Sequence, residues 1–569
     1  MTYSKLVSGN LSKLGNLPEL LCEIIQYFRN DFSTLYSCVL VNKLWCRLAI
    51  PLLWEDPFSI YAQNFQFIEI YLCNLKEDDK TEFNEYVKQK FVNMESISNC
   101  SSTLFNYSSF IKCLNTNKVV CSIENWQSAL MDDIHSDLII LVYRLLFKMF
   151  IENEGNLHSF EVEVRTFNDY NYLNNIIELI LQNPNFTCNI RNLMFFMNMD
   201  PKTNIFSLLK FLCFNFNSIS SFYIGYEFKA GNYTLFEKCL TQIFNTKQNL
   251  EKISFECDDF ILYDSFSSSL KNSNIPNTLR IITFYKIDFE KIIINIQEIF
   301  NQLNVLETIH IIYCSALNSD FVQQIINVIR PFKLKSLILK HKPSPFQVES
   351  LQLLLQKFGS DLENFEFGKY NFRNESKQKL FKSIIEYCTK IKYFSLKNID
   401  FNLSLNLIEN IKKQNLNYLN IRFDLYCDDD NKTKNLGQIL PSKLEFLKLE
   451  LIKSSDLKKF LENSQDTFIK RLFIKTKVQR DYLGILTYIK KYIMKKKRVK
   501  YLAILFDHGE LICCNGLLSS NSTEFRKFYD CIYKDLVSLE DEVKEFELYN
   551  IKVQKYDESY IKAIDIVNN

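Results

Sequence analysis

One arrangement of apolar and variable positions recurs along the chain: apolar, two variable, apolar, one variable, apolar. It reads Ile219/Phe222/Ile224, Leu250/Ile253/Phe255, Leu279/Ile282/Phe284, Leu306/Ile309/Ile311, Leu334/Leu337/Leu339 and Leu362/Phe365/Phe367. It continues through Ile391/Phe394/Leu396, Leu416/Leu419/Ile421, Leu444/Leu447/Leu449, Ile469/Leu472/Ile474 and Val499/Leu502/Ile504. The first apolar position moves from 219 to 499 in ten steps, a mean period of 28 residues. Weaker copies stand at Leu157/Phe160/Val162, Ile190/Leu193/Phe195 and Val543/Phe546/Leu548. Two apolar residues spaced by two point to the same face of a short strand. Helical spacing fills the intervals, as in Glu290 to Leu303, Gln347 to Phe358, Ser376 to Cys388 and Asp456 to Leu461. One strand and one helix cannot close a core, but stacked neighbours can. The pattern therefore predicts an α/β solenoid over residues 157–569 that includes a C-terminal cap.

A period near 28 with this spacing resembles the leucine-rich repeat, and the resemblance implies parallel concave strands and convex helices. Phenylalanine and isoleucine often stand in for leucine, in keeping with 49 phenylalanines. The asparagine or cysteine usual after the third apolar residue of that family is mostly missing, although Cys314 occupies such a place once. The repeats are accordingly irregular.

The N-terminal residues follow a different rhythm. Leu17, Leu20, Leu21, Ile24, Ile25 and Phe28 fall near helical spacing, and Pro18 suits a first turn, where its missing N–H costs nothing. Asn30-Asp31 breaks this helix, and Asp31 is placed to cap a second one carrying Leu35, Cys38, Val39 and Val41. Trp45, Leu48 and Ala49 mark a third, with Pro51 expected to begin its end. Three helices in about forty residues bury little surface by themselves.

This segment, residues 15–54, resembles the F-box. The match runs through Leu17, Pro18, Glu19, Leu20, Leu21, Ile24, Asp31, Leu35, Val41, Lys43, Trp45, Leu48, Ala49, Pro51, Leu53 and Trp54. The usual Val-Cys-Lys appears as Val41-Asn42-Lys43 and the usual Asp-Leu as Asp31-Phe32. The resemblance implies that Leu17, Pro18, Leu20, Leu21, Ile24 and Trp45 form or support a surface for the Skp-type adaptor of a cullin–RING ubiquitin ligase. It also implies a non-catalytic chain that recognises a client for that ligase. A helical cap whose apolar residues are all core is the plainer alternative. A repeat-protein binding scaffold unconnected with ubiquitin is the rival for function.

Residues 1–14 form a polar lead-in. Residues 55–156 carry no clear copy of the repeat and read as a helical connector or solenoid N-cap, with helical signals at Phe65–Leu72, Phe83–Phe91 and Leu138–Phe150. The polar stretch Met94–Thr103 reads as a loop.

Composition narrows the chemistry. Glycine is scarce, 11 in 569 residues, and no G-x-G-x-x-G, G-x-x-x-x-G-K-[ST] or G-x-S-x-G is present, which disfavours dinucleotide folds, P-loop NTPases and α/β-hydrolases. The net charge of +2 gives no support to a nucleic-acid-coating surface. The 17 cysteines contain no C-x-x-C, and the five histidines are dispersed, so neither zinc spacing nor a disulfide framework is expected. Most thiols should be free, small hydrophobes. No secretory signal or membrane-spanning stretch is expected, and no cofactor. The chain reads as intracellular, cytoplasmic and/or nuclear.

For client binding, the late repeats place Tyr393, Tyr418, Phe446, Arg471 and Tyr501 at the third position of the pattern. Lys397, Arg422, Glu450, Lys475 and Leu505 follow the pattern. Stacked about 4.8 Å apart, these would form an aromatic ladder beside a partly basic one, suited to an acidic client segment. Chance placement in a chain with 30 tyrosines is the alternative. Lys495-Lys496-Lys497-Arg498-Val499-Lys500 resembles an import signal but also suits a solvated helix end. Asp428-Asp429-Asp430-Asn431 lacks calcium-loop spacing, and Asp507-His508 lacks a positioned nucleophile.

Overall fold

Each described copy of the apolar triplet from residue 157 to 507 becomes a parallel strand, and helices fill the intervals. The computed structural model describes residues 18–29, 31–59, 65–91, 103–131, 135–198, 203–214, 218–226, 233–246, 249–256, 260–271, 273–289, 296–315, 317, 319–339, 345–366, 374–397, 401–422, 432–477, 482–507 and 533–556. Leu17, Phe367, His508, residues 94–102 and residues 428–431 lie outside this set. The chain divides into two units, Met1–Cys257 with Ile261–Leu279, and Asp258–Phe260 with Arg280–Asn569.

The first unit begins with helices α1 (Pro18–Tyr27), α2 (Phe32–Val39) and α3 (Lys43–Leu53). Helices α4 (Phe67–Cys73) and α5 (Glu77–Lys90) follow, then strand β1 (Cys113–Asn115) and helices α6 (Thr116–Leu130) and α7 (Ser136–Glu152). Regular alternation starts with β2 (Ser159–Val164) and continues through β3 (Asn192–Met197), β4 (Ser221–Tyr226) and β5 (Lys252–Glu256). Strands β1 to β5 pair in chain order, all parallel.

The second unit continues the alternation with β6 (Ile281–Tyr285), β7 (Thr308–Cys314), β8 (Lys333–Leu339), β9 (Asn364–Glu366) and β10 (Tyr393–Lys397). It proceeds through β11 (Tyr418–Arg422), β12 (Lys443–Lys453), β13 (Phe468–Lys477) and β14 (Val499–Asp507). These nine also pair in chain order and in parallel. The free edge of β14 is covered by two short strands, β15 (Tyr533–Asp535), antiparallel to it, and β16 (Lys552–Val553), parallel. Covering an edge in this way removes a template for unwanted strand pairing.

The core lies between one sheet face and the helices. Phe160, Val162, Leu193, Phe195, Phe222, Ile224, Ile253 and Phe255 are all buried. Helix residues at i, i+3 and i+4 are buried too, Ile205, Leu208 and Leu209 in the first unit and Leu457, Phe460 and Leu461 in the second. A repeated hydrogen bond keeps the strands level. The carbonyl of the residue before one strand accepts from two consecutive N–H groups at the start of the next. Lys112 serves His158 and Ser159, His158 serves Arg191 and Asn192, and Arg191 serves Ser220 and Ser221, at 2.8–3.0 Å. In the second unit Glu363 serves Lys392 and Tyr393, and Lys392 serves Asn417 and Tyr418, at 2.8–3.1 Å.

The same device begins before the first strand. The Glu55 carbonyl accepts from the N–H groups of Lys112 and Cys113, both at 3.0 Å. Its buried carboxylate also holds Lys112 Nζ at 2.5 Å and Arg29 Nε at 3.0 Å. The residue just beyond α3 thus acts as a zeroth rung of the ladder.

Three expectations need correction. Residues 55–156 do contain a repeat strand, β1, because Ile111 and Leu114 supply the first two apolar places and Thr116 then turns into α6. Val543/Phe546/Leu548 forms no strand: Glu540, Asp541 and Glu542 stabilise the positive end of a helix, Glu540–Glu547, that buries Phe546 and exposes Leu548. Pro51 does not begin the end of α3, which continues to Leu53; so close to the terminus its ring removes little from the ladder, and Trp54 still bonds the Ile50 carbonyl. The thiols follow the expectation for most of them: among the described residues Cys22, Cys38, Cys46, Cys113, Cys121, Cys188, Cys213, Cys239, Cys314 and Cys388 are free, and Cys73 is disulfide-bonded.

Candidate docking surfaces

The N-terminal helices hold each other by a small core. Leu21 and Ile25 of α1, Leu35 and Cys38 of α2, and Ala49, Ile50 and Leu53 of α3 are buried together. Trp45, Leu48 and Trp54 pack against them half-buried. The turns are fixed by side-chain caps. Asp31 accepts from the Thr34 N–H at 3.1 Å, and Asn42 accepts from the N–H groups of Leu44 and Trp45 at 2.9 and 3.0 Å. Trp54 lies 4.1 Å from Tyr107 and 5.2 Å from Tyr71 between ring centroids, which seats the bundle on the helices that follow.

That core uses only part of the apolar surface. Leu20, Ile24, Tyr27, Phe32, Tyr36, Leu40 and Val41 are between 37 and 87% exposed. On α1 the exposed residues fall at i, i+4 and i+7, and from Phe32 they fall at i, i+4 and i+8. Each helix therefore carries an apolar stripe besides the one that makes the core. Of the residues marked in the sequence, Leu20 and Ile24 are exposed, Leu21 is in the core beneath, and Trp45 is half-buried against it. Pro18 opens α1.

Tyr27, Phe32, Tyr36, Leu40 and Val41 complete the exposed set. A second apolar spacing, Phe32-Tyr36-Leu40, running beside Leu35-Cys38-Val39, is the sequence signal for them. A short helix with two apolar stripes has more than a one-sided core can take.

On the late repeats, Tyr393, Tyr418, Phe446, Arg471 and Tyr501 stand opposite one another on β10 to β14. Lys397, Arg422, Glu450, Lys475 and Leu505 form the parallel row. Tyr393 and Phe446 are buried, each 4% exposed, while Tyr418, Arg471 and Tyr501 are half-buried. The charges of the second row are largely answered internally. Arg422 lies 3.8 Å and Lys448 2.7 Å from Glu450, and Lys475 lies 3.6 Å from Asp507. The Arg471 guanidinium sits 5.4 Å from the Tyr501 ring centroid.

No protein-family model matches this sequence, and no curated protein does. The surfaces must therefore be read from their own chemistry.

Among the described residues, no group of histidines, cysteines or carboxylates is placed to hold a metal ion, and no helix is long and apolar enough to cross a membrane. Burial pushes the Cys113 thiol up to about 12, with Asp56, Glu55 and Glu161 adding to it, and burial does the same at Cys388. Both stay protonated and weakly nucleophilic at neutral pH. Lys495, Lys496 and Lys497 are exposed at a helix end. Arg498, in contrast, is buried and donates to the carbonyls of Tyr492 and Ser464, so the basic run is part solvated, part structural.

Proposed function

We propose that this protein is the client-recognition subunit of a Skp–cullin–F-box ubiquitin ligase. The N-terminal bundle would dock the Skp-type adaptor, and the repeat array would hold the client. The observation that carries the reading is the apolar surface of α1 and α2 left uncovered on a bundle whose own core is small. Exposed apolar residues this concentrated mark an interaction site. The F-box resemblance of residues 15–54 supplies the identity of the partner. The Glu55 rung supports the same reading, because it ties the bundle to the first strand of the array. Ubiquitin transfer would then gain from proximity, and this chain would make or break no bond itself.

The test is co-purification of the full chain with a Skp-type adaptor and a cullin. Wild type should retain both. Leu20→Asp with Ile24→Asp should lose them while melting as wild type does, since both residues are exposed. Adaptor without cullin would favour a scaffold outside ubiquitin transfer. No adaptor with wild type would overturn the proposal.

A further inference from the structure

The inner face of the last repeats already holds a segment of this chain. After β16, Gln554 donates its N–H to the Leu502 carbonyl at 2.8 Å, and the Tyr556 N–H donates to Asp535 Oδ2 at 2.8 Å. The Tyr556 side chain then lies against Phe446, Phe473, Ala503 and Leu505. Its ring centroid is 6.3 Å from that of Phe473, edge to face, and the Lys448 ammonium stands 5.1 Å from it. Ala503 explains the space. In its row β13 supplies Phe473 and β12 supplies Lys448, whereas β14 supplies one methyl group. An aromatic ring from outside the sheet fills the gap.

Among the described residues, the strand pairing of this segment is short. Strand β16 is two residues long, opposite Tyr501 and Leu502. These are also the strands on which the sequence places the candidate client ladder.

We infer that Tyr556 occupies a client seat: the late-repeat face takes an extended peptide that pairs with the edge of β14 and inserts one aromatic side chain over Lys448. The recognition is strand addition with a single pocket, where main-chain bonds give affinity and the aromatic gives selectivity. The C-terminal segment is the resident competitor that a client displaces. This rests on the reading that the array holds a client, but its test is independent of the adaptor: peptide exchange reads the seat, and the pull-down reads the N-terminal bundle.

The probe is a fluorescent peptide of residues 550–556, Asn-Ile-Lys-Val-Gln-Lys-Tyr, added to the full chain. A Tyr556→Ala chain should bind it at least tenfold tighter than wild type does, and a peptide with alanine in place of the tyrosine should bind neither. Adding Lys448→Met to Tyr556→Ala should weaken the tyrosine peptide by about two- to thirtyfold, the range of one cation–π contact. A Tyr556→Ala chain that melts as wild type and still rejects the peptide overturns the inference. Should that variant fail to fold, hydrogen exchange on wild type decides. Amides 552–554 should exchange at least tenfold faster than 502–505, and equal protection would make the segment a permanent cap.

Discussion

Tyr36 on α2 is 56% exposed, whereas Phe195 on β3 is 1% exposed. Both are aromatic residues on short elements of the same unit, and the difference lies in how each region closes its core. In the first unit's array, β2, β3 and β4 each have a strand on both sides, and residues of the triplet are buried, so an apolar residue added to the pattern finds cover. The N-terminal bundle has three helices seated through Trp54 on Tyr71 and Tyr107, a support that backs its core and leaves the second apolar stripes exposed. A repeat extends its core by repetition, and an isolated small bundle cannot. Apolar sequence alone therefore does not say whether a residue stabilises the fold or waits for a partner; the number of layers around it does.

The sharpest way to break this comparison is to truncate one aromatic from each region. Phe195→Ala should destabilise the first unit by about 3–5 kcal/mol, the usual cost of emptying a large core site, read from urea unfolding. Tyr36→Ala should change stability by no more than about 0.5 kcal/mol while weakening adaptor capture. Equal losses in the two variants would mean that the bundle's outer stripe is structural.

A smaller effect should come from adding a methyl group where the array has no room. A Cβ on Gly225 would lie 2.7 Å from Phe196 Cδ2 and 3.1 Å from Glu256 Cβ. The Phe196 ring is also held by the Arg165 guanidinium, 4.8 Å from its centroid. Gly225→Ala should therefore cost about 1–3 kcal/mol by overpacking, on the face of β4 opposite the apolar triplet. A neutral result would show that Phe196 moves freely, and the inner face of the first unit would be looser than its distances indicate.

The joint between the two regions is the next target. Glu55→Gln keeps the backbone rung but removes the charge that Arg29 and Lys112 share. Both cations are half-exposed and can be solvated, so the loss should be about 1–2 kcal/mol rather than that of a fully buried pair. Hydrogen exchange should speed up across α1 to α3 and stay unchanged in β3 to β5. Uniform change would mean that bundle and array unfold together.

What the sequence disclosed followed the same division. The array was legible because its signal repeats: eleven strong copies of one triplet leave little doubt about strand register, and the rows from Tyr393 to Tyr501 fall as the spacing dictates. Strand β1 was hidden because a helical pair, α6 and α7, stretches its interval and only two apolar places remain. The false copy at Val543 arose because Val543 and Phe546 are spaced equally well for a helix. In the bundle, the apolar positions were visible, but the division into buried Leu21 and exposed Leu20 and Ile24 depends on where α3 packs. Burial on the late repeats was also out of reach, since Tyr556 covers Phe446 and Phe473 from far along the chain, and the pairing of Arg422 and Lys475 with acids on neighbouring strands emerges only from the stack.

The smallest expected effect tests the joint through pH. His158 lies at the start of β2, where burial first, then the cations Lys112 and Arg191, hold its pKa below the usual 6.5, while Glu55 pulls it the other way. A depressed folded pKa means that the neutral ring is the one the fold prefers. Its stabilisation is fully present above about pH 6.5 and is lost as pH falls through the folded value. Wild type should lose more stability between pH 7.5 and 5.5 than His158→Gln does. Adding Glu55→Gln to wild type should deepen that loss, because the one neighbour that favours the charged ring is gone. Parallel pH profiles for all three chains would place His158 outside the electrostatics of the joint, leaving the backbone rung and the Trp54 contacts to hold bundle and array together.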